Sequence, residues 1–273
     1  MQPQPQRFGS ADGPGGTERT ERSSPTSGLR TLARTRWPWR DEGQGPLPAL
    51  LIALTVVTGL VDAVSYLALG HVFVANMTGN VVFLGFALAG APGLSITASL
   101  VALASFLVGA LAGGRMGVRL GAHRGRYLAA VTTAGGSLLV IAVVVAALVG
   151  QPVSGAARYA LIVPLALAMG AQNAVARRLA VPDLTTTVLT LTLTGVASDS
   201  RLAGGPGGRP GRRLIAVAAM AAGALAGALL VIRVDVVVPL ALAALLIEGT
   251  AVATSRLATR ANADWARPAT KAA

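Results

Sequence analysis

Asp62 stands in an otherwise apolar stretch, GLVDAVS, at Gly59–Ser65. A carboxylate near the centre of a bilayer costs about 2.5–3.5 kcal/mol on insertion scales, so such a residue normally faces other protein and has a role. On a helix, Thr58 and Ser65 share its face, four residues before and three after it. A second polar group follows in VFVANMTGN (Val72–Asn80), where Asn76, Thr78 and Asn80 are spaced by two around Gly79. On a helix Asn76 and Asn80 share a face and Thr78 points elsewhere; at a break in the helix all three can turn inward, with Gly79 supplying backbone freedom. Amide and hydroxyl oxygens beside freed backbone groups would coordinate a small solute or an ion.

A third group lies in DLTTTVLTLTLTG (Asp183–Gly195). Alternation at Thr190, Thr192 and Thr194 suggests a strand, but an isolated strand cannot satisfy its backbone in lipid. A helix is the better expectation, with Thr186, Thr190 and Thr194 on one polar stripe and Pro182 and Asp183 as its N-terminal signal. Asn173 is an amide late in an apolar segment. Glu248 is a second acid at membrane depth, expected to pair with Arg233 or to sit at the interface near Arg256. The candidate substrate-binding set is therefore Asp62, Ser65, Asn76, Thr78, Asn80, Asn173, Thr186 and Thr190.

Other chemistries find no support. The chain has no cysteine, which excludes disulfides and thiolate-ligated zinc or iron–sulfur sites. His71 and His123 stand apart, no nucleophile–base pair is recognisable, and no catalytic residue, metal site or cofactor is expected. GGPGGRPG (Gly204–Gly211) lacks the Lys-Ser/Thr of a phosphate loop and reads as a flexible linker.

The elements that hold these residues are membrane spans. Of the 273 residues, 53% are hydrophobic and 12% charged, against about 25% charged in a soluble domain; the mean hydropathy is +0.63. Six apolar stretches approach spanning length: about Ala49–Leu69, Leu94–Ala112, Tyr127–Val149, Tyr159–Val175, Leu214–Ile232 and Val236–Ala253. Phe73–Leu88 and Leu184–Ala197 are shorter and ambiguous. Arginine placement resolves them. If all eight stretches crossed, Arg115–Arg126 would lie outside. With six spans, the N-terminal arm, Arg115–Arg126, Arg177 and Arg178, Arg201–Arg213 and the tail all fall on the cytoplasmic side, as the positive-inside rule requires. The net charge of +12 is thus an orientation signal, and nucleic acid is not an expected partner. Phe73–Leu88 and Leu184–Ala197 are then expected to dip into the membrane and return, the first from outside and the second from the cytoplasm, or to lie at its surface.

Residues 1–46 are rich in Pro, Gly, Ser, Thr, Gln and Arg and read as a disordered cytoplasmic arm. GPLP at Gly45–Pro48 opens the first helix. The transmembrane domain covers 47–255, and 256–273 form a cytoplasmic tail. An internal repeat divides the domain into halves, 47–150 and 156–255. Gly59–Val64 (GLVDAV) resembles Gly170–Val175 (GAQNAV), and GALAG occurs at Gly109–Gly113 and Gly223–Gly227. Gly59 and Gly170 are 111 residues apart, Gly109 and Gly223 114 apart. Three spans per half would invert the second half in the membrane, a plan common in transporters. Packing alone also explains GALAG, since small-xxx-small patterns let helices approach closely.

GLVDAVSYLALGHVFVANMTGNVVFLG (Gly59–Gly85) resembles the hallmark of the YoaK family of bacterial membrane proteins of unknown function: Gly-x-x-Asp-Ala in the first span, then FxxNMTGN. The resemblance extends over about 47–255, although Leu191 stands where the family often has glycine. It implies a multi-pass protein with about six spans and carries no substrate, reaction or catalytic residue.

The expected fold is an all-α polytopic bundle of about six transmembrane helices plus two re-entrant or broken ones, in the bacterial cytoplasmic membrane, with both termini cytoplasmic. The expected function is that of a small-solute or ion transporter or channel-like protein, not an enzyme. The alternative is a scaffold whose polar residues only pack helices. The lipid bilayer, a small molecule or ion, and a second copy of the chain are the partners considered.

Overall fold

The computed structural model describes residues 44–181, 189–200, 203–204, 210–259 and 264–266. These form α1 (Leu47–Ala68), α2 (Met77–Leu88), α3 (Ile96–Leu120), α4 (Arg124–Val149), α5 (Gly155–Leu179), α6 (Leu189–Ser198), α7 (Pro210–Arg233), α8 (Val237–Ala258) and a 3-10 turn at Asp264–Ala266. No strand occurs among the described residues. The protein is an all-helical polytopic bundle. Six helices are long and apolar enough to cross a membrane. At 22 residues, α1 reaches about 33 Å, just over the roughly 30 Å of hydrocarbon. The 12 residues of α2 reach only about 18 Å, so α2 does not cross.

Local chemistry sets the boundaries. Proline at the start of α1 costs no intrahelical bond. Ser95 Oγ accepts from the Ala98 N–H (3.2 Å) to begin α3, and His123 Nδ1 accepts from the Arg126 N–H (3.1 Å) to begin α4. After α1 the chain reverses through Gly70 (φ +88°) and His71 (φ +57°); glycine enters this left-handed region without a Cβ penalty.

Two boundaries differ from expectation. Arg115–Arg126 is not a loop: α3 continues through Arg119 to Leu120, and α4 begins at Arg124. Likewise α7 starts at Pro210, ahead of the apolar run. Apolarity marks where lipid lies, whereas arginine is a good helix former whose long stem can reach the headgroups. Part of the C-terminal tail also folds back. Trp265 lies against Gly45 and Gly125 so closely that a methyl on Gly125 would come within 3.2 Å of the ring. The N-terminal arm to residue 43, Pro182, Asp183 and Thr186 lie outside the described residues.

Packing follows the glycines. Helices α1 and α7 meet through Gly59, Gly223 and Gly227, and α3 and α5 through Gly109, Gly113 and Gly170. A Cβ on Gly59 would lie 2.6 Å from the Ala224 nitrogen, and one on Gly113 2.9 Å from the Ala171 oxygen. Only small residues permit such backbone approach. The first span of each half therefore packs on the second span of the other half. Among the described residues, exchanging α1 with α5, α2 with α6, α3 with α7 and α4 with α8 carries the principal helix–helix contacts onto one another, α1–α7 onto α3–α5, α1–α8 onto α4–α5, α2–α3 onto α6–α7 and α3–α4 onto α7–α8, and leaves α1–α5 and α4–α8 in place. Helices α1 and α5 are the most enclosed spans. Leu107, Leu111, Leu148, Leu225, Ile232 and Leu245 stay exposed, as lipid-facing residues should.

Candidate functional site

Asp62 lies six residues before the end of α1, about 9 Å along the axis, and is 4% exposed. After the reversal at Gly70 and His71, the chain descends beside α1 and wraps the carboxylate. Oδ1 accepts the backbone N–H groups of Val74 (3.0 Å) and Ala75 (2.9 Å). Oδ2 accepts the Asn76 carboxamide. Helix α2 starts at the next residue, so the carboxylate also meets the positive end of its dipole. Asn76 is the N-cap of α2 but makes no cap hydrogen bond of its own; its amide is used on Asp62. The segment thus dips inward and α2 leads back out.

Asn80 secures the other side of the dip. Its Oδ1 accepts the Phe73 N–H (2.8 Å), and its Nδ2 donates to the Phe73 carbonyl (2.5 Å). The Phe73 ring stacks on Tyr66 of α1 and on Phe83 of α2, with centroids 5.2 and 5.7 Å away, and those two rings lie 6.0 Å from each other, so the three form a triangle. Gly79 has an ordinary helical conformation, contrary to the backbone freedom expected of it. What requires glycine there is the Phe73 ring, which would stand 2.7 Å from an added Cβ.

A second polar locus joins α1 to α5. Gln172, 2% exposed, donates from Nε2 to Thr58 Oγ1 (2.9 Å) and to the Leu54 carbonyl (3.2 Å). Among the described residues its Oε1 is buried without a hydrogen-bond partner, and so is Oδ1 of Asn173. Asn173 Nδ2 bonds only its own helix, at Met169 O (2.9 Å). Buried polar atoms are nearly always satisfied, so two such oxygens on adjacent residues are unusual.

The candidates are therefore distributed unevenly. Asp62, Asn76 and Asn80 hold one loop. Ser65 is buried and donates to the Asp62 backbone carbonyl (3.1 Å), not to its carboxylate. Thr78 is exposed on α2, away from the others. Thr190 and Thr194 are exposed on α6, while Thr192 is buried. The described part of the expected stripe, Thr190 and Thr194, thus turns outward, because packing on α7 sets the rotation of so short a helix. Thr192 lies 112 residues after Asn80, within the spacing of the glycine repeat. Glu248 meets neither Arg233 nor Arg256; it lies against Gly136 of α4. Sequence reasoning missed Gln172, although it adjoins Asn173 in the repeated motif. It also missed Phe73 and the Val74 and Ala75 amides, which no side-chain pattern reveals. Among the described residues, no group of histidine and acidic side chains could hold a metal.

Six long apolar helices, two short ones and a buried acid wrapped by an inward loop define a polytopic helical membrane protein. A family model described as a protein of unknown function, DUF1275, matches residues 50–253, and the chain belongs to that family. It is 36% identical over 154 residues to the UPF0700 transmembrane protein YoaK of Bacillus subtilis (strain 168). That match covers 55% of this chain and 65% of the relative, just under two thirds of the relative's length. No solved structure matches.

Proposed function

We propose that the protein is a small-solute or ion transporter, or a channel-like protein, of the bacterial cytoplasmic membrane, built from two inverted halves. The observation that carries this reading is a pair of buried oxygens, Gln172 Oε1 and Asn173 Oδ1 on the enclosed helix α5, that have no hydrogen-bond partner among the described residues. Neutral carbonyl oxygens freed from internal bonding suit a small cation or a hydrogen-bond donor. The exchange pattern of helix contacts supports the inverted halves. The arginine-rich helix ends support cytoplasmic termini. The test is reconstitution in proteoliposomes and measurement of transient currents on a solid-supported membrane with sodium, potassium, magnesium, ammonium and small neutral amino acids and sugars. At least one should give a current that Gln172→Leu or Asn173→Leu abolishes. Absence of any current or thermal stabilisation across that panel would remove the reading.

A second reading, a non-transporting scaffold, is favoured by a different observation. Both Asp62 oxygens, the Asn76 amide and the Asn80 amide are occupied by the chain itself. On this reading their substitution lowers stability and changes no binding.

A further inference from the structure

At one end of the bundle, α3 ends, α4 begins and α5 ends around a cleft of about 310 Å³ lined by Gln44, Gly121, Arg124, Tyr127, Arg178 and Leu179. Among the described residues it contains two guanidinium groups and no carboxylate. Arg124 is anchored: its Nη2 donates to the Leu179 carbonyl (2.8 Å), at the end of α5, and to Gln44 Oε1 (3.0 Å). Arg178 differs. Its side chain lies along Gly117 of α3 and Gly121 just after it, where an added Cβ would stand 2.7 Å from Cδ and 2.9 Å from Nε respectively. Tyr127 packs beside it, with its hydroxyl committed to the Gly113 carbonyl (2.9 Å). Arg178 is thus held in place by glycine, yet among the described residues its guanidinium has no hydrogen bond or ion pair.

We propose that this cleft binds a phosphate group, either the phosphodiester of an anionic lipid headgroup or the phosphate of a small solute. The cleft sits at helix ends, hence at headgroup depth, where basic pockets between transmembrane helices hold anionic lipids. Two planar cations with no carboxylate between them among the described residues match tetrahedral oxyanions, which guanidinium groups bind through paired N–H donors. General orientation charge does not require a cleft, nor a glycine bed for one of its arginines. Arg119, exposed on α3 and outside the cleft, is the appropriate comparator.

Arg124→Gln would also uncap α5, so Arg178→Gln is the deciding variant. The full chain, purified in neutral detergent, is tested in two arms. In the first, native mass spectrometry compares retention of phosphatidylglycerol and phosphatidylcholine. In the second, lipid-free protein is titrated with inorganic phosphate and its unfolding temperature followed. Phosphatidylglycerol preference that falls about tenfold in Arg178→Gln and stays unchanged in Arg119→Gln supports the site and assigns it to a lipid headgroup. Phosphate stabilisation lost in Arg178→Gln, without lipid preference, supports it and assigns a soluble phosphate. No response in either arm, or equal loss in both variants, overturns the proposal.

Discussion

Asn76 donates its carboxamide to Asp62 Oδ2 across fourteen residues of chain. The other carboxylate oxygen receives two backbone N–H groups, so this side-chain pair closes the wrapped loop. In Asp62→Asn, one orientation of the new amide sets its NH₂ against that of Asn76. The other sets it against two backbone donors. Either loses a charge-assisted bond and leaves donors unsatisfied, an expected loss of about 1–3 kcal/mol. The double variant Asp62→Asn with Asn76→Asp reverses the polarity and should recover more than half of the loss, read as unfolding temperature in detergent. A double variant no better than the sum of its parts would exclude the pairing.

The glycine contacts predict equivalence between distant positions. Gly59→Ala strains the α1–α7 contact and Gly170→Ala the α3–α5 contact, because each new methyl meets backbone that cannot yield cheaply. Each should lower stability by about 1–3 kcal/mol, as overpacking does. Gly114→Ala, with open space around it, should be neutral or slightly stabilising, since alanine is the better helix former. Thermal unfolding of the three purified variants is the measurement. A neutral Gly59→Ala beside a damaging Gly170→Ala would break the exchange relation.

The cysteine-free background allows a direct test of topology. Pro92, Ala122, Ser154 and Val234 are exposed in the turns between helices. As single cysteines in intact cells, those at 92, 154 and 234 should react with an impermeant maleimide. The one at 122 should react only after permeabilisation. Labelling at 122 from outside would invert the bundle or add a crossing, and the cytoplasmic placement of both termini would fall with it.

The spans were legible because hydropathy and arginine placement are properties of whole segments, and lipid enforces both. The same averaging hid the ends: Arg119 and Arg124 stay helical because charge does not stop a helix. Asp62 was legible as an oddity in its span, but its partners were not. Helical periodicity relates a residue to neighbours three and four away, whereas Val74 and Ala75 reach Asp62 through backbone amides after a reversal at Gly70 and His71. The threonine stripe failed for another reason. Helix α6 carries Thr190, Thr192 and Thr194, which point to different faces, and contact with α7, not spacing, selected Thr192 for burial.

The two acids within the spans should respond oppositely to loss of charge. Glu248 lies midway along α8, half-buried against Gly136, and among the described residues it makes no hydrogen bond or ion pair. A Cβ at 136 would collide with its carboxyl group, so the glycine is what admits the side chain to the α4–α8 seam. Glu248→Gln keeps that shape and removes an acid for which lipid depth offers no compensation. The variant should therefore fold and unfold at or above the wild-type temperature, while Asp62→Asn, deprived of a wrapped carboxylate, unfolds lower. Parallel melting curves at neutral pH decide the matter. If Glu248→Gln proved the more damaging of the two, Glu248 would have to hold a partner outside the described residues, and cross-linking of purified protein would test whether a second copy of the chain supplies it.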